Sequence, residues 1–281
     1  MATIDELARL VPPPATPVQA QGDWAAAEAR LGLTLPGDYR TLVATYGLGR
    51  FGDITLLTPF AAATSHYADL VWQAGEFLDR YRDVRGDFPE AFPHPLYPEP
   101  GGLLQWAGTG NGVMLCWLTE GVPDTWPVVV FDFGYHCDRY DTGAVDLLHG
   151  HLSGRRPVPG LGRTNTSPWF DADRERDSVY VRLSESDRPY EERLRILRTA
   201  LAPTADRGSF TSDHGRQDHF KAVDRDWLLT YETAYGHQIR VAFPPDDAAT
   251  ARAAMTGVAR EMGCRVLATT THNGTPTWNG T

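Results

Sequence analysis

The stretch LPGDYRTLVATYGLG, residues 35–49, decides the fold of the first half of the chain. Its apolar residues recur at positions i, i+3, i+4 and i+7, namely at Tyr39, Leu42, Val43 and Tyr46. This spacing predicts a helix with one buried face. Pro36 sets the entry angle of the helix. Gly47 and Gly49 end it, because glycine readily adopts the left-handed conformation that stops a helix.

The elements on either side of this helix predict an α+β domain. Upstream, residues 2–10 predict a short helix, and a second helix begins after its cap, Asp23, and stops at Gly32. Downstream, strands are predicted at 54–57, 103–107, 113–119 and 128–132. Further helices are predicted at 62–83 and 143–152. The segment 86–102 is rich in Pro and Gly, which is typical of a loop.

The pattern breaks after the last of these helices and then restarts. Residues 154–167 lack periodicity and are rich in Gly, Pro and Arg, which is typical of a linker. Beyond them, strands are predicted at 178–183, 219–223, 227–233, 238–243 and 265–271. Helices are predicted at 189–201 and 246–262. This order is close to the ferredoxin-like split βαβ plan with one strand extra.

The break divides the chain into a first domain at residues 1–155, a linker at 156–170 and a second domain at 171–281. The predicted fold class is α+β, with helices around a mainly antiparallel sheet in the first domain. The second domain is also expected to be α+β, and its element order is the ferredoxin-like one.

Charge is distributed unevenly between the two predicted domains. The chain has 26 Lys plus Arg and 36 Asp plus Glu, a net charge of −10. Residues 1–155 hold 9 basic and 19 acidic residues, whereas residues 156–281 hold 17 of each. The first domain should therefore repel nucleic acid and attract a basic protein. The alternative is that its acidity only keeps the protein in solution.

Composition and cysteine usage predict a cytoplasmic protein. No apolar run reaches the roughly 18 residues that a membrane helix needs. The start, MATIDELARLVPPP, does not resemble a secretory signal. The three cysteines are widely spaced and form no Cys-x-x-Cys pair, which is consistent with a reducing compartment. No membrane contact is expected.

Several short motifs follow one another in the first domain. They are Trp24-x3-Glu28-x2-Leu31-Gly32, Leu35-Pro36-x-Asp38-Tyr39-x2-Leu42, Tyr46-Gly47-x-Gly49, Gln105-Trp106-x-Gly108, Gly110-Asn111-Gly112, Cys116-Trp117, Asp124-x-Trp126-Pro127-Val128-Val129-Val130 and Asp146-Leu147-Leu148. This ordered set resembles the SUKH superfamily, which includes the yeast cell-wall synthesis regulators, over residues 1–155. We expect Trp106, Trp117 and Trp126 to pack in the core rather than to contact a ligand.

The resemblance implies a domain that acts by binding another protein and not by catalysis. Many bacterial members look like immunity proteins encoded beside toxins, so the expected partner is a basic toxin or effector protein. An intracellular scaffold or regulator that docks a client protein is the alternative. The sequence departs from the family pattern at Val113, where relatives often carry an acid, and this puts a partner contact from that position in doubt.

Motifs that carry chemistry in other proteins have structural interpretations here. The glycine-rich segment 108–112 lacks the Lys-Ser/Thr of a P-loop and predicts a turn. His149 and His151 would face different directions at the end of a helix, which disfavours a metal site. We therefore expect no catalytic residues, no cofactor and no metal. An enzyme with a site around His214, His219 and His237 in the second domain is the least favoured interpretation.

The partner-binding surface is predicted to lie in and after the long helix. Acidic and aromatic side chains alternate there, and the candidates are Asp79, Asp83, Asp87, Phe88, Glu90, Phe92, Tyr97 and Glu99. The aromatic side chains would supply buried area, and the carboxylates would steer a basic partner. The alternative is a solvated loop whose aromatic side chains fold back on the core.

Overall fold

The chain divides into two compact α+β units, each built on an antiparallel sheet, as the predicted fold class requires. The computed structural model describes residues 1–61, 67–90, 92–132, 136–162 and 166–278, without the side chains of residues 76–80 and 84. The first unit comprises Met1–Arg163 and Pro168–Asp173, and the second comprises Thr164–Ser167 and Arg174–Thr281.

The first unit contains a seven-stranded antiparallel sheet. Its strands are β1 (Gly49–Phe51), β2 (Ile54–Leu56), β3 (Leu103–Thr109), β4 (Met114–Leu118), β5 (Val128–Phe131), β6 (Cys137–Tyr140) and β7 (Phe170–Ala172). They pair in the order β6-β5-β4-β3-β2-β1-β7. The helices are α1 (Ile4–Leu10), α2 (Trp24–Leu31), α3 (Gly37–Tyr46), α4 (Leu70–Asp87) and α5 (Ala144–Leu152).

Both faces of this sheet are covered, because its central strands send apolar side chains alternately into two cores. The larger core receives Leu115, Trp117, Val128 and Val130 together with residues of α1, α3 and α5. The smaller core receives Met114, Cys116, Val129 and Phe131 together with Tyr81 of α4. The three tryptophans expected in the core, Trp106, Trp117 and Trp126, are buried, which confirms that prediction.

The helix predicted from residues 35–49 is α3, and its four predicted apolar residues are buried in the larger core. Gly47 ends it with φ +69°, and a Cβ at this position would lie 2.1 Å from the carbonyl oxygen of Val18. Only glycine therefore fits. Gly49 does not take part in the stop, because it begins β1 and pairs with Leu56 of β2.

Some elements differ from the prediction at their ends or were not predicted. Helix α4 continues to Asp87, inside the segment predicted as a loop, and the predicted residues 62–66 lie outside the described residues. Strands β1 and β6 were not predicted. They are three and four residues long, and β6 has the burial of a polar edge rather than of a core strand.

Residues 156–162 and 168–170 of the segment predicted as a linker belong to the first unit. Val158 and Leu161 are buried in the larger core. Nδ1 of His151 accepts a hydrogen bond from the backbone N–H of Val158 at 3.2 Å, and its Nε2 lies 3.3 Å from the carbonyl oxygen of Gly162. Strand β7 then pairs with β1. These contacts carry the first unit beyond the predicted end at residue 155 and as far as residues 171–173, which had been predicted in the second domain.

The second unit contains a six-stranded sheet with two helices. Its strands are β8 (Asp177–Leu183), β9 (Thr204–Ser212), β10 (Gly215–Ala222), β11 (Trp227–Glu232), β12 (Gln238–Phe243) and β13 (Val266–Thr270). The helices are α6 (Tyr190–Ala200) and α7 (Ala248–Glu261). The strand order is β13-β8-β12-β11-β10-β9, and all five neighbouring pairs are antiparallel. Strand β12 lies between β8 and β11, and β8 lies between β13 and β12, with every neighbour antiparallel, so β13-β8-β12-β11 is the predicted ferredoxin-like split βαβ plan. Strand β10 is the predicted extra strand, and the unpredicted strand β9 adds a second one beyond it.

Candidate functional site

The predicted partner-binding segment runs along the second half of α4 and into the loop that covers the smaller core. The side chains of Asp83, Asp87, Glu90 and Glu99 are exposed, as a steering surface requires. Phe88 is 48% exposed. Asp79 lies within α4, and its side chain is outside the described residues.

Phe92, predicted as a partner contact, is a core residue. Its side chain is 1% exposed, and its ring meets those of Tyr81 and Phe131 edge-on, with centroid distances of 5.1 and 6.3 Å. The loop turns this ring inward because the smaller core would otherwise leave β5 uncovered on that face. The prediction for Phe92 was therefore wrong, and the alternative that aromatic side chains fold back on the core is correct at this position.

Tyr97 holds the loop against the sheet. It is half-buried and packs against the larger core, and this burial raises the pKa of its hydroxyl. Its backbone N–H donates to the carbonyl oxygen of Leu103 at 3.3 Å. Among the described aromatic side chains of the predicted segment, Phe88 is thus the one offered to solvent as a large apolar surface.

Backbone hydrogen bonds bring Glu99 and Glu120 to the same end of the β3–β4 pair. The N–H of Gly102 donates to the carbonyl oxygen of Glu99 at 2.8 Å, and the N–H of Thr119 donates to that of Gly102 at 3.0 Å. Glu120 was not predicted as a site residue, because nothing in its neighbourhood in the sequence links it to the segment 79–99. Strand pairing is what places it there.

The edge strand β6 adds further charge beside this end of the sheet. Arg139 donates from Nη1 to Glu120 at 2.9 Å and from Nε to Asp141 at 2.9 Å. Asp138, Asp141 and Glu120 are exposed. We define the acidic surface as the exposed carboxylates of α4, of the loop after it, of Glu120 and of the β6 region, namely Asp83, Asp87, Glu90, Glu99, Glu120, Asp138 and Asp141.

His94 lies beside this surface and does not offset its charge at neutral pH. Burial lowers its pKa, and the positive charge of Arg139 lowers it further. The carbonyl oxygen of His94 accepts a hydrogen bond from the hydroxyl of Tyr81 at 3.4 Å, which ties the loop to α4. Because the pKa of this imidazole lies below its ordinary value of 6.5, the imidazole is neutral at pH 7.

The three histidines considered for an enzyme in the second unit are not brought together. Nδ1 of His219 lies 2.9 Å from the hydroxyl of Thr230, and Nε2 of His237 lies 2.9 Å from the hydroxyl of Tyr231. Thr230 and Tyr231 are successive residues of β11, so their side chains point to opposite faces of the sheet. The two histidines that contact them therefore lie on opposite faces. His214 is exposed in the turn between β9 and β10.

The first unit is thus an α+β domain with an acidic surface assembled from a helix, a loop and a sheet edge. Residues 21–142 match the family model SUKH_6, described as SMI1-KNR4 cell-wall. The match confirms the predicted SUKH resemblance over this segment and suggests an SMI1/KNR4-like or immunity-type protein. No curated protein and no solved structure matches the chain. Within the described ranges, no helix has the length and apolar character needed to span a bilayer.

Proposed function

We propose that the chain is a non-enzymatic binding protein that neutralises a basic bacterial toxin through the acidic surface of its first unit. The observation that carries this proposal is that the excess negative charge of the chain is confined to its first unit. The first unit holds 21 acidic and 11 basic residues, whereas the second holds 15 of each. The SUKH match over residues 21–142 supports the same interpretation.

The acidic surface suits a partner that itself binds nucleic acid. A toxin that cleaves nucleic acid has a basic groove, and carboxylates at the mouth of that groove compete with phosphates for it. The field of several carboxylates acts over about a Debye length, roughly 8 Å at physiological salt, and speeds the encounter. Phe88 then supplies the apolar contact that slows dissociation.

The first step is to look for a toxin gene beside the gene of this chain, and the experiment then uses an inactive form of its product. Its association with the full chain is measured over a range of salt concentrations. We replace Asp83→Asn, Asp87→Asn and Glu90→Gln together. The matched control, Glu175→Gln, Asp187→Asn and Glu261→Gln, changes the net charge equally through exposed acids of the second unit.

If the acidic surface steers the toxin, the first triple variant lowers the association rate about three- to tenfold at low salt and flattens its salt dependence. The control triple variant leaves both unchanged. Equal effects of the two variants, or none, would contradict steering by α4 and its loop. Survival of cells that express the toxin together with the chain tests neutralisation separately.

The second candidate function is that of an intracellular scaffold or regulator. It is favoured by the presence of a second unit that differs in fold and charge from the first and lies outside the family match. Binding of several unrelated cellular proteins, with no protection against a neighbouring toxin, would support this function over toxin neutralisation.

A further inference from the structure

Strand β13 forms one edge of the six-stranded sheet and leaves apolar residues uncovered. Val266 is 38% exposed, Leu267 is 57% exposed, and Ala268 is also exposed. A bulge at Leu267 interrupts the pairing with β8 and turns this side chain away from the regular strand geometry.

The C-terminal tail covers the other end of β13. The N–H of Thr277 donates to the carbonyl oxygen of Thr269 at 2.9 Å, and the N–H of Thr271 donates to that of Thr275 at 2.9 Å. Within the described part of the chain, these hydrogen bonds hold the tail to residues 269–271, and neither of them reaches 266–268. Among the described residues, the apolar part of the edge is therefore the part that the hydrogen bonds of the tail leave unpaired.

Two of the other described sheet edges carry charges that β13 lacks. At the opposite edge of the same sheet, β9 carries the adjacent charges Asp206 and Arg207, and β6 carries Asp138 and Arg139. Charged residues on an edge strand prevent pairing with another chain. The sequence of β13, Val-Leu-Ala-Thr-Thr, has neither a charge nor a proline, so this edge is chemically ready to accept another strand.

A cavity of about 360 Å³ lies between β13, α7 and the tail residues Pro276, Thr277 and Trp278, and it is open beside this edge. Its lining includes the buried Val181 and Met255, and Leu267 and Thr256 are among its more exposed members. This volume is within the range of ordinary ligand pockets. The cavity can accept an apolar side chain from a strand that is added at the edge. The edge would then pair with the backbone of that strand, and the cavity beside it would select the side chain.

The charges around the edge determine what kind of strand fits. Arg265 is exposed and directly precedes Val266, Arg182 of β8 pairs in register with Ala268, and Arg252 lines the cavity. The acidic residue Glu261 of α7 follows Arg252 by nine residues, which is roughly 180° around the helix, so the two side chains lie on opposite sides of α7. The open edge is thus flanked by arginine on both faces of the sheet.

We propose that Val266–Ala268 and the adjoining cavity bind an extended, acidic segment of a partner protein, which adds a strand to the sheet. One of its apolar side chains enters the cavity, and its carboxylates lie near the arginines. A second copy of this chain fits less well, because pairing two β13 edges would bring both sets of Arg182 and Arg265 together. This site is separate from the acidic surface and has the opposite charge preference.

The probe is a display library of random peptides, selected against the immobilised full chain. Two variants replace equally exposed apolar residues on the two edges of the same sheet. They are Leu267→Asp on β13 and Phe210→Asp on β9, where Phe210 is 53% exposed. Enriched peptides are then synthesised, and their affinity for the original chain and for both variants is measured.

We expect the enriched peptides to be acidic with alternating apolar residues, and to lose about tenfold in affinity, equivalent to about 1.4 kcal/mol, for Leu267→Asp but not for Phe210→Asp. Amide exchange at Val266–Ala268 should slow when they bind. No enrichment, basic peptides, or equal losses in the two variants would overturn the proposal. Dimerisation of the chain that Leu267→Asp abolishes would also overturn the proposal, because the edge would then bind a second copy. Peptide selection that succeeds only with a chain shortened to end at Trp278 would overturn it too, because the edge would then bind the tail.

Discussion

Phe88 and Phe92 are four residues apart in sequence, and the structure assigns them opposite roles that one pair of substitutions can separate. Phe92 is 1% exposed and Phe88 is 48% exposed. Removing the Phe92 ring loses a transfer free energy of about 1.5–3 kcal/mol. A residual cavity of roughly 80 Å³ would cost about 2 kcal/mol more, at about 24 cal/mol per Å³. Phe92→Ala should therefore lower the free energy of unfolding by about 3–5 kcal/mol.

Phe88→Ala should change the free energy of unfolding much less, by no more than about 1 kcal/mol, because the ring is half in solvent already. The partner effect should be reversed: Phe88→Ala should speed dissociation of the toxin partner, because this ring is the proposed apolar contact.

The assay is urea unfolding followed by tryptophan fluorescence, with dissociation rates measured on the same preparations. A second, more conservative variant, Phe92→Leu, should recover most of the lost stability, because it refills the cavity. Equal unfolding midpoints for Phe92→Ala and Phe88→Ala would refute the assignment of Phe92 to the core. A loss of partner binding by Phe92→Leu with unchanged stability would restore Phe92 to the interface.

Three further predictions concern pH and the extent of the first unit. Burial opposes the shift, but the hydrogen bond from Thr142 contributes to lowering the pKa of Asp146 below its ordinary value. The ionised carboxylate therefore stabilises the fold above pH 3.8, and this stabilisation is lost as the pH falls further. Asp146→Asn should therefore cost about 1–2 kcal/mol at neutral pH and flatten acid unfolding, as measured by denaturant titration at several pH values. Burial is the main cause that lowers the pKa of His237, so the unfolded chain takes up the proton first and stability should fall as the pH drops below 6.5. In His237→Gln that fall should be smaller, and an unchanged slope would exclude His237 as its cause. A fragment of residues 1–155 should unfold at a lower temperature than one of residues 1–173, because it lacks β7 and the buried residues before it, and equal melting temperatures would contradict this boundary.

The helices and the central strands could be predicted because each has a repeating apolar pattern of its own. Residues of α3 are buried on one face at helical spacing, and β4 and β5 are apolar without interruption. The uninterrupted pattern is typical of a strand that is covered on both faces. Here it correctly marked the strands that separate the two cores.

The missed strands have no such pattern, because tertiary pairing and not local sequence makes them strands. Strand β9 is largely half-exposed or exposed along its length, and β1 and β6 are very short. The division of the chain was misplaced for a related reason. The segment after α5 is rich in Pro, Gly and Arg, but a single Val158 and a single Leu161 suffice to dock it.

The candidate surface could be predicted only in part, because the sequence shows charge but not the direction of a side chain. The carboxylates of the segment were correctly expected in solvent, whereas Phe88 and Phe92 are each followed by a proline and look alike in sequence. Glu120 joins the surface through Arg139, which follows it by 19 residues and lies on the edge strand β6. Such a contact leaves no signal in a single sequence.

The distribution of charge argues against solubility as the whole explanation for the acidity of the first unit. A requirement for solubility acts on the surface of the whole protein, and acids placed on either unit would satisfy it equally. In this chain the excess is confined to the first unit, and the second has equal numbers of acids and bases. Steering depends on where the charges lie, because exposed charges are screened within about 10 Å. The two triple variants alter the net charge identically, so a solubility role requires that they behave alike. Only a role in binding requires that the triple variant on α4 and its loop behave differently from the control triple variant.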